Sequence, residues 1–566
     1  MNWMIKAAHK LTAERVALAA IVPVVALGLS VAAASSANAA NDPVANDPAA
    51  NTTASASEVG MSTADHSKFK ELQGPFATGP DVTKACLKCH TEAAKQIHKT
   101  KHWNWDVVNP ATGRRLGKKN VINNFCGSVV SNEPRCTSCH IGYGWKDGKF
   151  DFAAQENVDC LVCHDTTAKY RKFPAGAGHP AYTPMEWPAK SGKFIKPIDL
   201  AEVARSVGPT SRKNCGVCHF LGGGGNAVKH GDLDLSLINP GPYLDVHMSP
   251  KNLDGSPGLD FACSKCHGGD KHLVQGSRYA INAKDESGID IPGRTDGSRA
   301  TCESCHGMTP HPDTANAKLN DHTDVLACQT CHIPAFARGG FATKMWWDWS
   351  TAGKLTADGK PLKIYDKKGE QIYNGMKGDF KWGEHVTPEY RWFDGTSKFT
   401  LLGDEVTGDK VVSINNYGGG PNDPNSRVWP FKVMRGKQAF DKGNKTLAVV
   451  HTFGSDDSAY WGNYDWDKAL EAGMKAAGSS YSGKMGFVET EMAWPTTHMV
   501  APKEDALGCE SCHSANSRLK DVPGLYIPGF NRFGPLDTIG WLIAVLTLLG
   551  VLGHGGLRYY MHRKEG

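Results

Sequence analysis

This chain has almost no cysteine to spare. Seventeen occur in 566 residues and sixteen of them belong to one repeated pattern, which leaves nothing from which to build a disulfide framework. Charge of one sign is equally short. The 63 Lys and Arg face 58 Asp and Glu, a formal +5, and no basic patch carries interleaved aromatics, so nucleic-acid binding is excluded. Long apolar runs are missing from the body of the chain and occur only near its two ends. Long regular elements are not expected in the first half, because 62 Gly and 31 Pro point to loops joined by short helices.

What is present is Cys-x-x-Cys-His, eight times. The copies are Cys86, Cys89 and His90; Cys136, Cys139 and His140; Cys160, Cys163 and His164; Cys215, Cys218 and His219; Cys263, Cys266 and His267; Cys302, Cys305 and His306; Cys328, Cys331 and His332; and Cys509, Cys512 and His513. Two thiols at this spacing can form thioethers to the two vinyl carbons on one porphyrin edge, and the next residue places an imidazole under the iron. Zinc sites would not need a histidine after every second cysteine. The sequence therefore predicts eight covalently bound haem c groups, with the eight motif histidines as proximal iron ligands.

Both ends of the chain speak of export and anchoring. Lys6, Lys10 and Arg15 precede an apolar run from Val16 to Ala34, and Ala37-Asn38-Ala39 is a small-x-small cleavage site, so residues 1–39 read as a signal peptide. Residues 40–62 are too poor in apolar side chains to pack and read as a disordered linker. Residues 538–557 are uncharged and long enough to span the hydrocarbon at ~1.5 Å per residue. Arg558, Arg563 and Lys564 follow, which puts the tail 558–566 in the cytoplasm and the haem region on the periplasmic side of the inner membrane. His554 lies within this span, where it either ligates a b-type haem shared with a membrane partner or sits at the headgroups.

Seven motifs fall within 63–332, a seven-haem domain. The eighth, with its linker, occupies 509–533. Between them, 333–508 is a haem-free insert rich in tryptophan (Trp346, Trp347, Trp349, Trp382, Trp392, Trp429 and Trp461) with strand-like stretches such as 410–414, read as mixed short helix and strand. The expected fold is a multihaem cytochrome c, loop-rich with short α-helices around eight haems, a mixed α/β haem-poor insert, and one C-terminal transmembrane helix.

Low-spin haem iron takes a sixth ligand, usually His or Met, and the chain has histidines in surplus. His66, His102, His179, His230, His247, His272, His311, His322 and His498 are the candidate distal ligands. His98, one turn before His102, competes with it. His385 and His451, inside the insert, are read as ordinary histidines. Were every iron closed by two histidines, the protein would only conduct electrons; catalysis needs one iron that differs.

The seventeenth cysteine, Cys126, stands ten residues before Cys136, with Asn123 as a nearby amide donor and Gly127 leaving room for approach. An adjacent cation would lower its pKa and favour the thiolate. A buried small cysteine is the plain alternative. Together, 65–69, 123–126, 214–220 with Gly222 to Gly225, 228–232 and 328–334 resemble the octahaem tetrathionate reductase family, over roughly 66–513. That resemblance implies seven bis-histidine haems and one active-site haem with a lysine as its distal ligand, lined by a cysteine and an asparagine. Cys126 and Asn123 match the latter two, the active haem is the one on Cys136, Cys139 and His140, and Lys229 matches the lysine, with Lys213 as the competitor. The implied activity is reduction of tetrathionate to two thiosulfates, or the reverse. Nitrite or hydroxylamine reduction at the same haem is the enzymatic alternative, and a non-catalytic electron-transfer subunit the third. The membrane helix departs from that family and suggests a quinone-linked partner of the cytochrome b type; the substrate would be a small sulfur or nitrogen oxyanion.

Overall fold

A computed structural model describes residues 64–566 apart from 110–111, 189–190, 269, 280–299, 308, 312–316 and 532. The expected signal peptide and linker lie outside the described residues.

From Asp65 to His332 the described chain is a succession of short helices and turns, with two small strand pairs, Val107–Val108 with Arg115–Leu116 and Met185–Glu186 with Phe194–Ile195. The attachment motifs sit on single helical turns such as Leu161–His164, Cys263–His267 and Cys328–His332. One helical turn brings both thiols and the histidine to one side, which is why these stretches need no length. The longer helices begin on defined caps. Gly79–Leu87 opens on a reciprocal Thr78–Asp81 capping box, and Arg212–His219 on one between Ser211 and Asn214, so their free N–H groups are satisfied where the motif cysteines must be presented.

The insert has a different construction. Its centre is a nine-stranded mixed sheet in which the long strand Arg427–Asp441 pairs antiparallel with Met485–Pro495, Met434 opposite Met492, and parallel with Thr343–Asp348. Trp347, Trp429, Phe431 and Trp494 are fully enclosed around it. The 410–414 stretch supplies the short edge strand Val412–Ser413. The helix Trp466–Ala476, capped by Asp465 on the Lys468 N–H at 3.1 Å, packs Leu470 and Met474 into the same core.

That core does not stop at the insert. Val121, Ile122 and Phe125, which flank Cys126, and Val228, beside Lys229, belong to the same apolar cluster as Trp347 and Trp494. The sheet is thus a platform against which two loops of the haem region are pressed.

The last element is a helix of 32 residues, Gly534–Glu565, about 48 Å long at 1.5 Å per residue. It covers the expected span and extends beyond it at both ends. Its apolar side chains, Ile539, Trp541, Leu542 and Ile543 among them, face outward. Among the described residues it is the one helix long and apolar enough to cross a membrane.

Candidate functional site

Seven motif histidines face a second imidazole. His90 lies opposite His66 with ring centroids 6.2 Å apart, His219 opposite His102 at 6.1 Å, and His164 opposite His272 at 6.4 Å. His267 faces His498 and His306 faces His247, both at 6.1 Å. His332 faces His311 at 6.3 Å, and His513 faces His322 at 6.1 Å. Two metal–imidazole bonds of about 2.0 Å in line, plus half a ring at each end, come to about 6 Å, so the spacing is that of two rings sharing one iron. Stacked rings in direct contact would sit closer.

The other nitrogen of many of these rings is already engaged. Nδ1 of His164, His267 and His513 meets the carbonyls of Gly208, Gln275 and Pro528 at 2.9–3.1 Å. On the opposite rings, Nδ1 of His272, His311 and His322 meets Gln96 Oε1, Asn320 Oδ1 and Lys318 O at 2.7–3.1 Å, and that of His498 meets Asp232 Oδ2 at 3.0 Å. With Nδ1 held, Nε2 is the nitrogen left to bind a metal, the usual arrangement of a ligating histidine. The residues present therefore fit haem iron at seven motifs.

The motif thiols also approach one another from one motif to the next. Cys331 feels the charge of Cys509 and Cys512, Cys328 lies within hydrogen-bonding reach of Cys302, and Cys266 feels Cys305. Cys263 reaches Cys215, and Cys218 reaches Cys139. A branch leaves Cys215 for Cys163, and Cys160 reaches Cys86. The attachment points form a continuous succession from the eighth motif to the second.

The second motif is the exception. His140 is fully buried, and among the described residues no second histidine takes the facing position seen at the other seven. Its Nε2 lies 2.7 Å from the Trp103 carbonyl. Trp103, Trp105, Trp145 and Phe150 enclose the ring, with centroids 4.9–5.5 Å away. The nitrogen a proximal ligand would offer to iron is occupied by a backbone acceptor, which differs from the expectation for this residue.

Lys229 comes to the same motif from another loop. Its amine is close enough to Cys139 to feel its charge, and burial, with Arg278 and Lys118 nearby, holds its pKa well below the ordinary lysine value. The direction makes the neutral amine, with a lone pair to give, more accessible than in an ordinary lysine. Lys213, the competitor, is exposed on its helix. The Lys229 segment is held by the sheet: buried Lys432 donates from Nζ to the carbonyls of Val228 and Lys229 at 3.1 and 3.2 Å, and Thr343 donates to Ala227 O at 2.6 Å.

Cys126 lies on the other flank of Cys136, close enough for their charges to interact. Its thiol donates to Gly223 O at 3.4 Å, and a Cβ on the neighbouring Gly222 would come within 3.3 Å of the Lys229 side chain. Gly223 has φ +81°, and a Cβ there would meet Val228 at 2.8 Å, so this loop can follow its path between Cys126 and Lys229 only as glycine. Burial pushes the Cys126 thiol up, and Lys377, Lys344, Arg135 and Lys118 only partly pull it back. Of the two readings of this cysteine, the direction favours the buried neutral thiol, because desolvation outweighs the four cations. Asn123 is likewise committed. Its Oδ1 accepts from the Phe125 and Cys126 N–H groups at 3.1 and 2.8 Å and its Nδ2 donates to Gly127 O at 2.5 Å. It shapes the Cys126 turn rather than offering a free amide.

The cations were not legible from any motif. Lys344, from the strand Thr343–Asp348, is 4 % exposed, its Nζ 3.2 Å from the Phe380 ring centroid and 4.0 Å from that of Trp347. Burial and Lys377 hold its pKa well below the ordinary lysine value, and Cys126 partly opposes them. Lys118 lies over Trp105 at 4.1 Å. Such groups converging beside a thiol make a site that favours an anion.

The remaining candidates lie elsewhere. His98 stacks on Trp103 at 4.5 Å, so His102 is the one of the two that faces a motif histidine. His179 stacks on Tyr143, with Nδ1 2.7 Å from Tyr182 Oη. His230 packs edge-on against Trp494. Neither His179 nor His230 is brought opposite a motif histidine. His451 bridges Ser131 and Asp456.

Known proteins resemble the chain at several levels. Residues 85–165 match the family described as cytochrome c554 and c-prime, and residues 344–516 the one described as bacterial cytochrome c. An uncharacterized protein of Archaeoglobus fulgidus is 24% identical over 246 residues, 37% of this chain and 79% of that protein. The crystal structure of octaheme cytochrome c from Shewanella oneidensis is similar with a TM-score of 0.70 and 41% identity, covering 81% of this chain and 95% of that one.

Proposed function

The chain belongs to the multihaem c-type cytochromes, and from that premise we propose that it is a periplasmic octahaem oxidoreductase, held to the membrane by its C-terminal helix, with its chemistry beside Cys136 and Cys139. The observation that carries this reading is the contrast between seven paired imidazoles and one motif whose histidine is turned to a backbone carbonyl. Haem c supplies one-electron transfer and, where a ligand is exchangeable, a binding position for a small oxyanion or sulfur chain.

Lys229 is the ligand proposed for the haem on Cys136 and Cys139, its neutral amine held in place by Lys432 through the backbone. His140 then serves as the core of the aromatic cage that fixes the motif. The seven facing pairs would hold the other irons, and the succession of motif thiols sets the path from the Cys509 motif, nearest in sequence to the membrane helix, to the reaction site. A cytochrome b type membrane subunit linked to quinone is the proposed electron donor.

The substrate proposed is tetrathionate. Two electrons break its central S–S bond and give two thiosulfates, with no proton consumed, so the residues needed are those that bind and orient a dianion. Lys344, Lys377, Lys118 and Arg135 counter its charge, and the Cys126 S–H is placed to donate to, or exchange with, the sulfur chain. Nitrite is a second candidate, because the same cations suit any small oxyanion. The deciding experiment assays the reduced holoprotein and Cys126→Ala with tetrathionate, nitrite and hydroxylamine side by side. The expected outcome is tetrathionate turnover that falls by on the order of 10²-fold in the variant. Nitrite or hydroxylamine turnover that survives the substitution, without tetrathionate turnover in the parent, would replace the sulfur reading. No turnover with any of the three would leave a conductor.

A further inference from the structure

Asp232 stands three residues after Lys229 and is nearly inaccessible, at 3 % exposed. Its Oδ2 accepts from the backbone N–H of Thr497 at 2.8 Å, from that of His498 at 3.1 Å, and from His498 Nδ1 at 3.0 Å. Three donors from one short segment fix the carboxylate directly behind the imidazole. The other Nδ1 acceptors described above are neutral carbonyls, of the backbone or of Gln96 and Asn320. Among these, the His267–His498 pair is the one backed by a carboxylate.

The chemistry of that difference is general. An anionic acceptor draws the Nδ1 proton toward itself and raises the electron density at Nε2, so a metal bound there is stabilised in its more oxidised state. Second-shell hydrogen bonding is one of the levers that set haem potentials. Burial strengthens it, because little solvent is present to screen the charge. The position matters as well: Cys263 reaches Cys215 on one side and Cys266 feels Cys305 on the other, so this motif joins the reaction end of the succession to the membrane end.

We propose that Asp232 is a positioning residue that lowers the reduction potential of the haem carried by Cys263 and Cys266, placing an uphill step between the two halves of the relay. The assignment rests on the ligation read above for His267 and His498.

The test is a potentiometric titration of the full-length holoprotein in detergent, followed by visible absorbance and by the low-spin signals in electron paramagnetic resonance. Asp232→Asn should move one haem to higher potential and leave the rest in place, whereas Asp232→Glu should keep that haem low. An unchanged titration curve in a fully haem-loaded Asp232→Asn protein overturns the proposal. His498→Ala separates this from the ligation reading: if it leaves the low-spin count intact, His498 is not a ligand and the ligation itself fails. If neither Asp232 variant matures, Asn320→Asp provides the converse, a carboxylate placed behind His311. It should lower the potential of one haem, and no shift there refutes this mode of tuning in the protein.

Discussion

Seven attachment motifs and the eighth differing one are built from the same five-residue pattern, yet the surroundings give them opposite characters. At the seven, a histidine from elsewhere in the chain faces the motif histidine at 6.1–6.4 Å, and loops suffice to bring it there. At Cys136 to His140, the motif histidine is walled in by tryptophan and phenylalanine, and a lysine, a thiol and further cations arrive on segments pressed against a sheet. The lesson is one of cost. A bis-histidine site needs only two rings and their hydrogen bonds. The second motif gathers buried amines, which are costly to desolvate, and the insert provides the rigid frame that keeps them there.

The sharpest way to break this comparison is Lys229→Ala. It should lower turnover by on the order of 10³-fold while the low-spin spectrum of the seven paired haems persists; a protein that turns over normally would return Lys229 to the role of an ordinary buried lysine. Next in size is the pair His140→Ala and His219→Ala. Loss of His219 should convert one haem to high spin. Loss of His140 should leave the low-spin count alone and instead destabilise the fold by about 3 kcal/mol, from the void left among large rings. Spectra and thermal denaturation separate the two, and a spin change in His140→Ala would make the eight motifs alike.

A smaller effect is expected at the anion site. Lys344→Met should raise KM for a dianionic substrate about tenfold, roughly 1.4 kcal/mol, and leave the KM of uncharged hydroxylamine unmoved. The parent protein should show the same tendency with pH. Because burial lowers the Lys344 pKa, the ammonium is lost as pH rises through that depressed value, so anion affinity is high on the acid side and falls on the alkaline side. Inhibition by a non-reducible dianion, measured across pH, reads this directly; an affinity that rises with pH would remove Lys344 from the site.

The haem motifs, the haem-poor insert with its strands, and the apolar helix at the C-terminal end are legible in sequence because each rests on local pattern: five residues, an alternation, an uncharged run. The ring pairs are only half legible. The surplus of histidines is visible, but which ring faces which motif depends on loops, and nothing near His498 points to His267. The character of Cys126 is not legible, since counting nearby cations says nothing about the cost of burial that outweighs them. Lys344 and Asp232 could not have been singled out, because a buried charge is recognised by what encloses it and not by its neighbours in the chain.

The His267–His498 pair also has a consequence in time. On the proposed export from the N-terminal end, Cys263 and Cys266 would cross the membrane before His498. His498 stands three residues after the strand Met485–Pro495, which pairs along its own full length with the Phe431–Asp441 part of Arg427–Asp441. On the proposed ligation, the fifth haem waits with one axial position unfilled until that sheet closes, and sheet closure is the event that certifies the electron path as complete.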